Sequence, residues 1–311
     1  MIRSIRPTDF ASFLAFLRKG NVNEAKTGRN LGRNDRGLFS VGRFFKEWLS
    51  LDENRYTWIE TSRGRIRGLI SVRSRPSPIN WQVDSLILDR GSDCQDICLR
   101  LLEYVSAVGS ENGIHKVFLR VEKDSPLKEV ARQAVFLPYK TELLYGRAAQ
   151  PGATLSTPGD RVRPKRPADE INIFHLYSAA VPGHVRQAEA MTFDEWKAIT
   201  KKHLSLSAQQ ELVIEREGSV AGWLRVRQGR QLNFFDILTL PQHEETTEEL
   251  LNHCLSILDQ RRPTFCLLPE YRDDLRRALE ARCFGLMGEY SSFVKQLAVR
   301  IRQPRLAPAR I

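Results

Sequence analysis

No stretch of this chain is long and apolar enough to cross a membrane, because nothing approaches the roughly 20 residues a spanning helix needs. The opening MIRSIRPTDFASFLAFL mixes basic residues with leucines, but Pro7 and Asp9 interrupt it and Arg18 and Lys19 close it. It lacks the apolar core and small-residue cleavage site of a signal peptide, so the expected location is cytoplasmic. Cysteine is scarce: the five residues are odd in number and show no disulfide-framework or CxxC spacing, which fits reduced thiols. Cys94 and Cys98, four apart on an expected helix, are the only pair that His115 could join as metal ligands, and no second pair has zinc spacing; no metal is expected. HExxH, Walker and GxSxG patterns are also missing. RGRIRG at 63–68 has glycines, but it lies in a hairpin between strands and not before a helix, which excludes a dinucleotide loop.

What is present is ordinary globular composition with an uneven charge. The apolar fraction of 41% and charged fraction of 27% exclude disorder of the whole chain. A length of 311 residues exceeds what one core usually organises and favours two domains. The net charge is +11; residues 1–50 hold ten Lys and Arg against four acids, and Lys295–Ile311 holds five basic residues and no acid. Such patches concentrate anions without choosing among nucleotide, cofactor phosphate and nucleic acid. No aromatic residues interleave with the arginines of RVRPKRP and RIRQPRLAPAR, so a nucleic-acid partner is not expected.

Residues 65–146 and 219–296 read as two copies of one unit. RGLISVR at 67–73 answers AGWLRVR at 221–227, and WQVDSLILD at 81–89 answers NFFDILTLP at 233–241. The offset drifts from 154 residues at Gly68 and Gly222, to 152 at Asp84 and Asp236, to 148 at Phe136 and Phe284. A period near half the chain means tandem domains, since solenoid repeats are far shorter.

Hydrophobic periodicity assigns the elements. Ile2–Arg6 alternates as a short strand; Thr8 and Asp9 then precede Phe10, Phe13, Leu14 and Leu17, spaced for one helical face. Residues 19–37 lack periodicity and read as a mobile loop, and Phe39–Leu49 suggests a second helix. Strands are expected near 55–61, 65–74 and 81–88, with a turn at Arg63-Gly64. A helix over 93–110, the strand 116–121, a charged helix and FLPYKTELLY complete the first unit. A strand, a helix and a strand at this spacing imply parallel strands joined by a crossover. Residues 148–170, with four prolines and two glycines, read as an interdomain linker. The second unit is expected to run from a strand near Ile171–Tyr177 through helices near 184–191 and 193–203, strands near 211–216, 219–228 and 232–239, a helix near 245–260, the strand TFCLLP, a helix over 271–282 and a final strand near 287–301. The resulting division is 1–147, the linker 148–170, 171–303, and a basic tail 304–311.

This element order, the opening IRSIRPTDFASFLAFL and the closing FLPYKTELLYGR resemble the GNAT-type N-acetyltransferases, twice over. The resemblance implies an α/β (α+β) fold of two tandem GNAT-like domains, each a mixed, mostly antiparallel sheet flanked by helices. It implies acetyl-CoA as cosubstrate, its pantetheine bonded to strand backbone where the fourth and fifth strands part, here at Leu86 and Leu88, and its diphosphate on the following helix start. A primary amine of a small molecule or peptide would attack the thioester. Family members mark the helix start with an Arg or Gln and a Gly. Here DRGSDCQDICLRLL places Asp93, Asp96 and Cys98 at those positions, and HEETTEELLNHCL places Thr246, Glu249 and Leu251. A carboxylate about 5 Å from a phosphate costs roughly 3 kcal/mol per unit charge at an effective dielectric near 20, about two decades in affinity. Asp93 and Asp96 also suit helix capping; a shifted register instead brings Arg90 and Gly91, beside Asp96, to the phosphates.

Asp84 and Asp236 occupy matching mid-strand positions, where apolar neighbours would raise a carboxylate's pKa toward that of a general base; simple alternation would turn each to solvent. Tyr139 and Tyr145 lie where the resemblance puts a tyrosine that protonates the leaving thiolate, with Tyr290 and Tyr271 in the second unit; ring packing with a local hydroxyl bond is the plainer use. Glu142 and Glu289 match across units and, on edge strands, would face water. The leading expectation is N-acetyl transfer by the first unit, whose basic loop and Arg90 attract phosphates, with the second unit completing the cleft or supporting a homodimer. The rival is a non-catalytic descendant that keeps the cleft for another ligand or a protein.

Overall fold

A computed structural model describes residues 1–19, 21–27, 31, 55–75, 77–150, 161–200 and 208–298. The expected helix over 39–49 and the tail 304–311 lie outside the described residues. The first unit runs β1 (Ile2–Ser4), a 3-10 turn (Pro7–Asp9), α1 (Phe10–Arg18), β2 (Arg55–Ser62), β3 (Arg65–Ser74), β4 (Asn80–Leu88), α2 (Cys94–Glu111), β5 (Lys116–Glu122), α3 (Leu127–Gln133) and β6 (Leu137–Arg147). The second runs β7 (Val162–Pro164), a 3-10 turn (Pro167–Asp169), α4 (Glu170–Ala180), α5 (Gly183–Glu189), α6 (Phe193–Thr200), β8 (Ala208–Arg216), β9 (Ser219–Gln228), β10 (Asn233–Thr239), α7 (Glu244–Ile257), β11 (Thr264–Pro269), α8 (Asp273–Glu280) and β12 (Gly285–Gln296).

The repeat is written into the backbone. Arg63 and Gly64 at the β2–β3 turn, and Glu217 and Gly218 at β8–β9, have φ of 49°, 75°, 50° and 75°. Two successive left-handed residues define the hairpin turn whose twist matches that of its strands. Gly68 of β3 and Gly222 of β9 are where a helix crosses the sheet closely: a Cβ would stand 2.6 Å from Ile97 in the first case and 2.6 Å from Leu250 in the second.

The repeat also extends further back than the sequence indicates. Residues 162–169, which composition assigns to a linker, form a strand and 3-10 turn matching those at 2–9. Arg163 bonds Asp169 at 2.8 Å through both guanidinium nitrogens, as Arg3 bonds Asp9 at 2.6 and 2.7 Å. The segment expected as a strand near 171–177 is the helix α4. Ile173, Leu176, Tyr177 and Ala180, all buried, follow the 3.6-residue period of a helix.

All twelve strands join one sheet, in the order β1-β2-β3-β4-β5-β12-β6-β11-β10-β9-β8-β7. β4 and β10 pair in parallel with β5 and β11; every other neighbour is antiparallel. The two final strands are exchanged: β12 lies against β5 of the first unit, and β6 against β11 of the second. The seam β6–β12 is therefore the centre of the sheet. Alternation divides the side chains there. Leu119, Val121 and Phe293 join the core under α2 and α3, while Phe118 and Val294 meet Ala188 of α5 on the opposite face. Burying each such large apolar side chain contributes about 1.5–3 kcal/mol.

Candidate functional site

Both parallel pairs open into a wedge. β4 and β5 are paired only from Asn80↔Lys116 to Gln82↔Phe118, and β10 and β11 only from Asn233↔Thr264 to Phe235↔Cys266. Beyond those points the two strands of each pair no longer bond one another, and their facing N–H and C=O groups need other partners.

The first wedge is filled by the chain itself. Glu24 N–H donates to Leu86 C=O at 2.8 Å, and Lys26 N–H donates to Arg120 C=O at 2.8 Å, so the segment is bonded to both strands. The Asn23 side chain accepts from Leu86 N–H at 2.8 Å and donates to Asp84 C=O at 3.2 Å. Asn23, Ala25 and Lys26 are buried, Ala25 within the core under α2. Residues 21–27, expected within a mobile loop, are thus held like an extra strand, and the backbone groups of Leu86 expected to hold a cofactor are already bonded. Leu88 is buried; Arg90 and Asp96 are exposed.

The helix after this wedge begins among acids. Asp93 makes no capping bond, contrary to the capping expectation; its carboxylate accepts from Arg67 Nη2 at 2.6 Å, and Arg67 Nε lies 3.5 Å from Asp89. Gly91 packs so closely that a Cβ would meet Asp93 Oδ1 at 2.8 Å.

The second wedge differs. Asn233 N–H donates toward Pro263 on the β11 side, so by alternation the N–H and C=O groups of Ile237 and Thr239 face the wedge. No described residue bonds to them. Ile237 and Leu238 are only partly buried, whereas Thr239, like Leu86 and Ile87, is wholly buried. Across the wedge mouth lies Arg272, itself buried, donating to Thr239 Oγ1 at 2.8 Å and to Asp274 at 2.8 and 2.7 Å. Beside it, a surface cavity of about 600 Å³ between α7 and α8 is lined by Glu244, Glu245, Glu248, Glu249, Asp274 and Arg277.

Neither matched aspartate has the apolar surroundings expected of a base. Asp84 lies 3.2 Å from Arg55 and 3.9 Å from Arg73. Asp236 lies 2.9 Å from Arg225 and 3.0 Å from Arg227. Burial pulls the Asp236 carboxyl upward, but the two guanidiniums together outweigh it and hold its pKa below the ordinary value. The two candidate tyrosines are not brought together, since they emerge on opposite faces of the sheet. Tyr145 packs with the core under α7 and α8 and donates to Glu280 at 2.6 Å; burial, then that carboxylate, pushes its hydroxyl up to about 12. Tyr139 packs against Phe118 and donates to Glu189 at 3.1 Å, and burial raises its pKa.

A charge network around the buried Glu142 lies at the seam. Glu142 was expected to face water on an edge strand; strand exchange makes β6 central, and Glu142 is buried. It accepts from Arg120 at 2.7 and 3.0 Å and from Ser292, and lies 3.0 Å from Lys140, which also pairs with Glu189 at 2.8 Å. Burial would raise the Glu142 carboxyl, yet Arg120, Lys140 and Ser292 together hold it well below the usual carboxylate range. The only signal in sequence was the matched glutamates. Glu289 pairs with Lys123, half-buried. Among the described residues no His, Cys, Asp and Glu group could hold a metal ion, and no helix is long and apolar enough to cross a membrane. Cys98 is buried, and burial pushes its thiol up to about 12.

A central sheet with parallel-strand wedges, flanked by helices and repeated once, is the architecture of the GCN5-related N-acetyltransferases, and the chain has that fold in tandem. It aligns with a GCN5-related N-acetyltransferase from Sphaerobacter thermophilus over 96% of this chain and 98% of that one, with TM-score 0.57 and 12% identity. A tandem GNAT protein from the clavulanic acid biosynthesis pathway aligns over 95% and 98%, with TM-score 0.53 and 10% identity. Saccharomyces cerevisiae N-myristoyltransferase with bound myristoyl-CoA aligns over 95% and 78%, with TM-score 0.51 and 12% identity. No protein-family model and no curated protein sequence matches the chain.

Proposed function

We propose that the protein is an acyl-CoA-dependent N-acyltransferase whose second unit holds the acyl donor, acetyl-CoA in the simplest case, for transfer to an amine of a small molecule or peptide. One observation carries this reading: among the described residues nothing bonds the wedge-facing backbone of the partly buried Ile237 on β10, whereas the matching edge in the first unit is taken up by Asn23, Glu24 and Lys26. The extended amides of a pantetheine arm fit such an edge, as an added strand would. The diphosphate fits less well, because Glu244 and Glu245 occupy the first turn of α7. Arg272 is the buried guanidinium nearest the mouth and would have to exchange Thr239 or Asp274 for phosphate oxygen. The thioester brings an activated acyl carbon; the chain's part is to hold that carbon beside the amine.

Calorimetric titration of the full chain with acetyl-CoA is the test. The expected result is one site per chain, lost in Ile237→Pro, which removes a wedge N–H, and kept in Arg90→Ala. Two sites, or one site insensitive to Ile237→Pro, would overturn the assignment to the second unit. The acidic α7 start favours a second reading, a non-catalytic protein that keeps the fold for another ligand; absence of binding at millimolar acetyl-CoA would decide for it.

A further inference from the structure

Beside the second wedge, on the face opposite α7 and α8, two arginines share one carboxylate. Arg225 pairs across the ladder with Asp236, and Arg227 with Phe234. Asp236 Oδ2 accepts from Arg225 Nε at 3.0 Å and from Arg227 Nη2 at 3.0 Å. Arg227 Nε has no hydrogen-bond partner although solvent scarcely reaches it. The planes are braced from the side: Arg225 lies 5.1 Å from the Trp223 ring centroid and Arg227 5.0 Å from that of Phe234. Glu211, opposite Arg225 on β8, is matched by Lys165 at 3.0 Å. Among the described residues, Asp236 is thus the one carboxylate that these two guanidiniums share, which leaves one positive charge over.

The first unit neutralises its aspartate differently: Arg55 reaches Asp84 from β2 and Arg73 from β3, whereas Arg225 and Arg227 both stand on β9. Its Arg55, Arg73 and Asp84 side chains are 6%, 17% and 11% exposed, whereas Arg225, Arg227 and Asp236 are 20%, 35% and 25% exposed. The arginines of the first unit are thus the more covered set, and the pair on β9 the more accessible one.

We infer that Arg225 and Arg227 form the acceptor subsite and bind a carboxylate, so that the acceptor is an amine that also carries a free carboxylate, of the amino-acid class. This rests on the second unit as donor site. A carboxylate taken by the guanidinium fork would lie one residue from Ile237, whose backbone faces the wedge, and the amine would be directed at the thioester. Asp236 is a positioning residue: its carboxylate fixes both guanidiniums.

Ligand-observed NMR on the full chain without donor, using the common free amino acids and the matching amino-acid amides, tests this directly. At least one acid should bind ten times more tightly than its amide, with the gap lost in Arg227→Gln and partly kept in Arg227→Lys, each variant having a thermal midpoint matching the parent. Equal binding of acid and amide, no binding of any acid, or a gap that survives Arg227→Gln overturns the inference. Acid binding in a chain that takes no acetyl-CoA would sink the transferase reading and leave the carboxylate subsite standing.

Discussion

After its first helix, each unit sends the chain a different way. In the first, residues 21–27 turn back into that unit's own wedge and complete it as an extra strand, with Leu31 continuing onto Phe234 and Phe265 of the second unit. In the second, the chain after α4 forms α5, which crosses the seam to meet Phe118 and receives the Lys116 ammonium at Gln187 C=O and Ala188 C=O, 3.0 Å each. The same scaffold thus carries one self-occupied wedge and one whose edge no described residue pairs. The difference teaches that a fold's ligand edge is a polar liability which a chain can discharge with its own backbone, at the expense of binding.

The seam is where the two units stop being separable, and disturbing it should have the largest effect. Glu142→Ala leaves the largely covered Arg120 without its carboxylate and Lys140 with Glu189 alone, a change that costs up to about 3–5 kcal/mol in such networks. The matched Glu289→Ala, at a half-exposed pair, should leave the midpoint nearly unmoved. Urea unfolding followed by fluorescence and circular dichroism should show one transition displaced for Glu142→Ala, because β6 and β12 each belong to the other unit's ladder. Separate transitions for the two halves would break the picture of one cooperative sheet.

Asn23→Ala tests the filled wedge itself. It leaves Leu86 N–H buried and unpaired, a loss of about 1–3 kcal/mol. Hydrogen exchange at Glu24 and Lys26 should accelerate with it; unchanged protection would mean the segment is held by something other than the wedge. Smaller still, Gly68→Ala and Gly222→Ala each bring a methyl against a helix side chain, Cγ2 of Ile97 in one case and Cδ1 of Leu250 in the other, so that each should cost about 1 kcal/mol. Equal costs sharpen the equivalence of the two crossings, and a large inequality would dissolve it.

The sequence made the repeat legible because turn chemistry and core spacing are local. Arg63-Gly64 and the leucines of α2 announce themselves within a few residues. The strand exchange left no such trace: β6 and β12 carry similar apolar patterns, and pairing with one fifth strand or the other satisfies both. Val162–Pro164 was hidden by the prolines around it, and the role of 21–27 by an asparagine-rich composition that forms a strand only against an open edge. At the site, the equivalence of Asp84 and Asp236 could be read from spacing. Their character could not, since the arginines that neutralise them arrive from neighbouring strands.

The finest distinction between the units lies at their entrances. Hydrogen bonds from Arg163, with the Arg166 backbone N–H, hold Asp169 at about 2 against the opposing effect of burial. Asp9 is lowered in the same way by Arg3, but is less deeply buried. A carboxylate lowered in the folded state stabilises above the pKa of the unfolded chain, near 3.9, and loses that contribution as protons bind on the way down to the folded value. Stability measured by urea midpoint should therefore fall between about pH 4 and pH 2, and Asp169→Asn should flatten that limb more than Asp9→Asn does. Equal flattening by the two variants would mean that the second entrance is no better organised than the first.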